Sequence, residues 1–284
     1  MSNFQLRTLT TVIGGAAMIA ILIAGNELLL ITLLALSFIG YHELTGALGV
    51  DEPGQIFSPM LVPGYICILA WYALLELGDI GVIQGMSIPG YGAALVVLML
   101  IVYMAVYVFT YPTYDASRAI GAFFSTIYLP VMLSFVYLIR QLEGGALFVW
   151  MVPICSWVCD ICAYLVGVKF GKHKMSPKLS PKKSIEGAVG GVSGSAIIGA
   201  VYAFFAVSKN VSADRWKVVV VFVIMSVCGA FISMIGDLAA SAIKRNRGIK
   251  DYGRIIPGHG GVMDRFDSFI FVAPLVYILC LFIV

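Results

Sequence analysis

The fold this sequence predicts is all-helical: a membrane protein crossing the bilayer about nine times. Three observations predict it. Hydrophobic residues make up 61% of the 284 positions and charged residues only 12%, with mean hydropathy +0.99, whereas a soluble domain carries about 25% charged residues. Apolar runs recur at the length of a bilayer-spanning helix, about 20 residues. Lys and Arg are also distributed unevenly among the connections between those runs, as they are in membrane proteins.

Nine segments fit a span: 8–25, 28–47, 58–77, 90–110, 119–139, 146–168, 187–207, 217–240 and 266–284. The first has the length of a signal peptide, but no small-x-small cleavage pattern follows it, so a retained helix is expected. Only Gly25-Asn26-Glu27 separates it from the second, which predicts a helical hairpin. With the N-terminus inside, fourteen Lys/Arg fall in cytoplasmic segments: Arg7, Arg118, six between Lys169 and Lys183, and six between Lys244 and Arg265. Only Arg140, Lys209, Arg215 and Lys217 face the other side. The positive-inside rule then places the N-terminus in the cytoplasm and the C-terminus opposite. The first 150 residues are nearly featureless, whereas the motifs crowd into the second half. Residues 1–150 therefore read as scaffold and lipid access, with dimer contacts as a further role, and 151–284 as the catalytic region with two cytoplasmic motif loops.

Several classes are excluded or weakened. The net charge of +3 is too small to argue for nucleic acid. All six cysteines lie in apolar segments, so no disulfide framework is implied. Cys155, Cys159 and Cys162 share a helix face, a spacing open to a metal site or to small apolar residues at a helix contact. No second Cys or His cluster completes a tetrahedral set. No internal repeat is visible, and the paired Gly/Pro breaks of an inverted-repeat transporter are missing.

In such a chain the polar residues within or beside the spans need a reason. Asp160 sits in WVCDICAYLVGVKFG, where a carboxylate at membrane depth costs about 2.5–3.5 kcal/mol on insertion scales. With Tyr164, Gly167 and Gly171 it forms one stripe. The reading is a site on a polar cavity, against a plain buried Asp–Lys pair. Next comes KHKMSPKLSPKKSIEGAVGG. Its basic run suits anionic headgroups, and Lys182, Lys183 and Ser184 before Glu186 make a helix start suited to anions. The order of a Walker A loop is missing. Gly187, Gly190, Gly191 and Gly194 fit close helix packing equally well. Asp237, Ser241 and Lys244 form a further stripe running toward the cytoplasm. In GHGGVMDRFD, Asp264 and Asp267 are three apart, so a helix would turn both the same way. Gly258, Gly260 and Gly261 let backbone N–H groups approach a phosphate. Acids converging with lysines suggest Mg²⁺ holding a polyphosphate. His259 could contact phosphate, donate a proton or fix the turn.

These residues carry a resemblance. SAIKRNRGIKDYGRIIPGHGGVMDRFD is similar to the signature of the phosphatidate cytidylyltransferases, or CDP-diacylglycerol synthases. The signature is filled by Ser241, Ile243, Lys244, Arg245, Lys250, Asp251, His259, Gly260, Gly261, Val262, Asp264, Arg265, Phe266 and Asp267; Phe266 stands where an aliphatic residue is commoner. Upstream, Asp160, Tyr164, Gly167, Ser180, Lys182, Lys183, Ser184, Glu186 and Gly187 resemble further segments of that family. The likeness covers roughly residues 155–275, and Glu43 in GYHEL is a weaker echo.

The resemblance implies transfer of CMP from CTP to phosphatidic acid, giving CDP-diacylglycerol and pyrophosphate with Mg²⁺, with or without a second cation. It implies a helical fold with a cytoplasm-facing polar cavity, commonly a homodimer in the bilayer, and an inner-membrane location if the source is bacterial. The metal ligands expected are Asp237, Asp264 and Asp267. Asp160, Lys182, Lys183, Glu186, Lys244, Lys250, Asp251, His259 and Arg265 are expected in catalysis. Tyr164, Ser180, Ser184, Ser241, Arg245, Gly258, Gly260 and Gly261 are expected to bind substrate. The alternatives are a CTP-dependent polyprenol or phytol kinase, which releases CDP, and an ion-coupled transporter using the intramembrane acids.

Overall fold

The computed structural model describes residues 3–51, 55–79, 88–210, 214–253, 255 and 260–282. The helices are α1 (Asn3–Ala24), α2 (Asn26–Leu48), α3 (Val62–Asp79) and α4 (Ile88–Thr110); then α5 (Ala116–Gln141), α6 (Gly145–Phe170), α7 (Ile185–Val207) and α8 (Arg215–Asn246); and finally α9 (Met263–Phe266) and α10 (Phe269–Cys280). Among the described residues, six helices are long and apolar enough to cross a membrane: α2, the Gly90–Thr110 part of α4, α5, α6, α7 and α8. The other three expected spans fall on shorter apolar helices, Val12–Ala24, Val62–Gly78 and Phe269–Cys280.

Local chemistry explains the boundaries. Gly25 alone separates α1 from α2, as the hairpin reading expects. Helix α2 stops at Gly49, whose φ of 70° suits glycine and lets its N–H and that of Val50 close on Gly46 and Thr45. Helix α5 starts at Asp115, whose carboxylate accepts from the Arg118 N–H at 2.9 Å. Pro130 interrupts α5 within a π-helical turn, Ile127–Val131, and a second such turn, Ile154–Val158, follows Pro153 in α6. Proline lacks the N–H that the regular ladder needs.

Contacts divide the chain into two compact units. The first comprises Met1–Ser134 and Arg247–Arg265, the second Phe135–Asn246 and Phe266–Val284. The loop after α8 falls with the N-terminal helices in the first unit. Inside the first unit, buried polar side chains link the helices. The Tyr41 and Tyr103 hydroxyls meet at 3.2 Å, Tyr103 meets Thr126 at 2.6 Å, and Trp71 Nε1 donates to Ser134 at 2.9 Å. Such interhelical bonds average about 0.6 kcal/mol each in membrane bundles. An apolar groove between α3 and α4, lined by Ala70, Leu74, Tyr91 and Leu98, holds none of the expected site residues.

Inside the second unit, α6, α7 and α8 pack through small residues. A Cβ at Gly190 would lie 2.5 Å from Val166, and one at Gly191 would lie 2.9 Å from the Cys159 carbonyl and sulfur. Gly194 faces Cys162 and Gly229 faces Cys155 as tightly. The glycines and the three cysteines are therefore contact residues, and all six cysteines are free thiols. A short antiparallel hairpin, β1 (Lys174–Ser176) and β2 (Ser180–Ser184), joins α6 to α7. The sequence, poor in β-formers there, gives no sign of it.

Candidate functional site

The second unit gathers five of the expected charged residues. Helix α8 carries Asp237 and Lys244 on one face, as their spacing predicts. Strand β2 delivers Lys183, whose ammonium pairs with the Asp237 carboxylate, both side chains about one quarter exposed. Asp267 follows α9 and is 8% exposed. Its Oδ1 accepts from the Ser268 N–H at 2.8 Å. Lys244, Asp160 and Lys183 all lie within electrostatic reach of Asp267. Asp160, on the exposed side of α6, is also within reach of Lys183. Gly236 makes the approach possible, because a Cβ there would lie 2.7 Å from the Asp267 carbonyl. Three carboxylates and two ammonium groups are thus linked by one ion pair and by longer-range electrostatic interactions in a largely apolar unit.

Strand geometry separates the two adjacent lysines. Side chains alternate across a strand, so Lys183 turns inward to Asp237 and Lys182 is exposed. Ser184, expected to touch substrate, is buried and caps α7 by accepting from the Gly187 N–H at 3.1 Å. Gly167, Gly171 and Gly187 surround its hydroxyl; a Cβ at Gly171 would come within 2.6 Å of it. Glu186 accepts from the Lys172 N–H at 3.1 Å and the His173 N–H at 3.2 Å, and meets the His173 ring at 2.6 Å. It fastens the base of the hairpin to the start of α7. Ser180 and Ser241 are half-buried, while Tyr164 and Arg245 are exposed.

The first unit holds the signature loop. Asp264 Oδ2 accepts from the Tyr252 N–H at 2.8 Å and the Gly261 N–H at 3.0 Å. Gly260 has a φ of 85°, and a Cβ there would sit 2.7 Å from that same oxygen. This is where the glycine turn needs glycine. Lys250, Asp251 and Arg265 are exposed. Gly258 and His259 lie outside the described residues.

One expectation is corrected. The three-residue spacing of Asp264 and Asp267 predicts one helical face, but the helical turn ends at Phe266. Asp267 and Ser268 form a turn before α10 begins at Phe269, held by the bond from Ser268 to Asp267. The two acids also fall in different compact units. The residue the sequence reading undervalued is Glu43, which is 6% exposed in α2. Its carboxylate accepts from the Val262 N–H at 3.1 Å and the Met263 N–H at 2.9 Å. A buried acid in an apolar helix, with no Lys or Arg near it in the chain, was the available signal.

Among the described residues, no three of His, Cys, Asp and Glu gather closely enough to hold a metal unaided. The donor set nevertheless suits magnesium. Asp237 and Asp267 offer hard oxygens within one unit, and Mg²⁺ is usually held by one or two carboxylates plus substrate phosphates and water.

Comparison with known proteins gives a consistent result. The cytidylyltransferase family matches over residues 5–283. Phosphatidate cytidylyltransferase of Staphylococcus saprophyticus subsp. saprophyticus is 34% identical over 252 residues, which cover 79% of this chain and 94% of the relative. The protein of the same description from Staphylococcus haemolyticus is also 34% identical, and that from Staphylococcus aureus strain COL 35%, over the same shares.

Proposed function

The chain belongs to the cytidylyltransferase family, and from that premise we propose that it transfers the cytidylyl group of CTP to phosphatidate, releasing pyrophosphate. The observation that carries this reading is the cluster of Lys183, Lys244, Asp160, Asp237 and Asp267 in one otherwise apolar unit. Transferring a nucleotidyl group between two polyanions needs cations beside carboxylates that position them.

In this reaction a phosphate oxygen of phosphatidate attacks the α-phosphorus of CTP. The bond from that phosphorus to the bridging oxygen breaks, and pyrophosphate leaves with the electron pair. The attacking monoester is already largely ionised at neutral pH, since its second pKa is about 6, so a strong general base is not required. The barrier lies in crowding negative charge around the α-phosphorus, and placed cations lower it. Lys183, held by Asp237, is positioned to exchange that carboxylate for a phosphate oxygen. Lys244, within electrostatic reach of Asp267, would meet the leaving pyrophosphate. Asp160, within electrostatic reach of Lys183, would help direct it. Bound magnesium would supply further charge neutralisation on the phosphates, with Asp237, Asp264 and Asp267 as the ligands that the resemblance implies.

The same proposal places the motif loops in the cytoplasm, where CTP is found, in an inner membrane. Contacts inside the first unit support the parity of this topology. The Tyr114 hydroxyl donates to Asp51 at 2.7 Å, and the Arg247 guanidinium lies against Gly49. These contacts favour the connections after α2, α4 and α8 lying on one side, as the nine-span reading expects. A cytoplasm-facing polar cavity and a homodimer belong to the same proposal. The test is incubation of purified protein with α-labelled CTP, phosphatidate and Mg²⁺. Labelled CDP-diacylglycerol with release of pyrophosphate is expected; CDP and a phosphorylated lipid would instead reveal a kinase.

A further inference from the structure

The Glu43 carboxylate occupies an unusual place. It comes from near the C-terminal end of an apolar helix and is almost fully buried, yet no ion pair to it is among the described ones. Its two oxygens take separate backbone donors, Val262 N–H on Oε1 and Met263 N–H on Oε2. Both donors belong to buried residues at the start of α9, the turn that carries Asp264. Two glycines of the same loop close over the carboxylate. A Cβ built on Gly253 or on Gly261 would collide with it. Asp264, for its part, holds the loop from within by accepting from Tyr252 and Gly261. The loop is thus wrapped around one anchor and braced by one internal carboxylate.

We propose that Glu43 is a positioning residue for the signature loop. It binds the two leading N–H groups of α9 and so fixes where the Asp264 carboxylate points, and Gly253 and Gly261 are glycines because the anchor occupies the space of their Cβ. Placement at this scale matters to rate, since a misplacement of about 1 Å can cost 10²-fold. The consequence for turnover rests on the cytidylyltransferase reading; the geometry of the anchor does not.

The experiment uses the full chain in detergent micelles with phosphatidate. Glu43→Gln puts an amide NH₂ where one N–H donor needs an acceptor. Backbone hydrogen exchange at Val262 and Met263 should rise by about tenfold or more. Unchanged exchange overturns the proposal, whether or not the protein turns over CTP. Per folded molecule, kcat should fall about 10- to 100-fold with the KM for CTP changed only a few-fold. Faster exchange with an unaltered kcat would make Glu43 a structural residue only, and would equally overturn it. If Glu43→Gln does not fold, a double-mutant cycle decides. Glu43→Asp withdraws the carboxylate, and Gly253→Ala adds the Cβ it excluded. The double variant should be no worse than the poorer single one, because each change relieves the other; losses that multiply would show independent sites. A wild-type protein that makes no CDP-diacylglycerol would refute the activity and leave the exchange result standing.

Discussion

The carboxylates of the two units do different work. In the first unit, Glu43 and Asp264 spend their oxygens on backbone N–H groups: Val262 and Met263 for one, Tyr252 and Gly261 for the other. In the second, Asp237 faces the ammonium of Lys183, and Asp160 and Asp267 lie within reach of lysine charge. Backbone donors cannot leave without unfolding the loop, so the first arrangement fixes shape. A lysine side chain has several rotatable bonds and can trade a carboxylate for a phosphate. The second arrangement is therefore the exchangeable one. The same residue type supports a frame where its oxygens face backbone N–H groups, as Glu186 also does in the second unit, and is proposed to serve the chemistry where they face lysine; what its oxygens face decides which.

Four experiments would break or sharpen this contrast. The largest effect is expected from removing divalent metal: excess EDTA should abolish CDP-diacylglycerol formation, restored by Mg²⁺. Turnover that persists in EDTA would take Asp237 and Asp267 out of any metal-holding role. Asp264→Asn comes next, with an expected loss of about 10²-fold or more. The Asn carbonyl can still accept from Tyr252 and Gly261, so the loop should keep its hydrogen-exchange protection. Full activity in that variant would confine Asp264 to the frame. Lys183→Met should lower kcat/KM by about 10²-fold, whereas Lys182→Met, on the exposed side of β2, should cost only a few-fold. Equal losses would contradict the inward and outward assignment of this pair. Arg215→Ala should be nearly silent in turnover. Its guanidinium lies 4.9 Å from the Phe204 ring centroid, a contact worth about 0.5–1 kcal/mol, so a small drop in melting temperature is the whole expected effect. A large loss of activity would count against the proposed membrane orientation.

How much of this was legible in the chain differs between the two regions. The stripe of Asp237, Ser241 and Lys244 follows from helical period, and α8 carries it as one continuous helix. The packing role of Gly190, Gly191 and Gly194 was one of two open readings, and the Cys155–Cys159–Cys162 face resolves it. The hairpin that parts Lys182 from Lys183 was not legible, because Lys, Ser and Pro are poor strand formers and the pairing is set by the helices at its ends. The break between Asp264 and Asp267 was equally hidden, since spacing alone cannot say where a helical turn stops.

The sequence by itself determined that this is a helical membrane protein, where most spans lie, and which polar residues require an explanation. Bilayer thickness and the cost of charge in hydrocarbon act on composition and period, which need no folded structure to read. Only the tertiary structure decided which groups those polar residues face. Glu43 is 219 residues from the Val262 N–H it holds, and Lys183 meets Asp237 from a separate element. Hydrogen bonds and ion pairs act over a few ångströms, so partners far apart in the chain become visible only once it has folded.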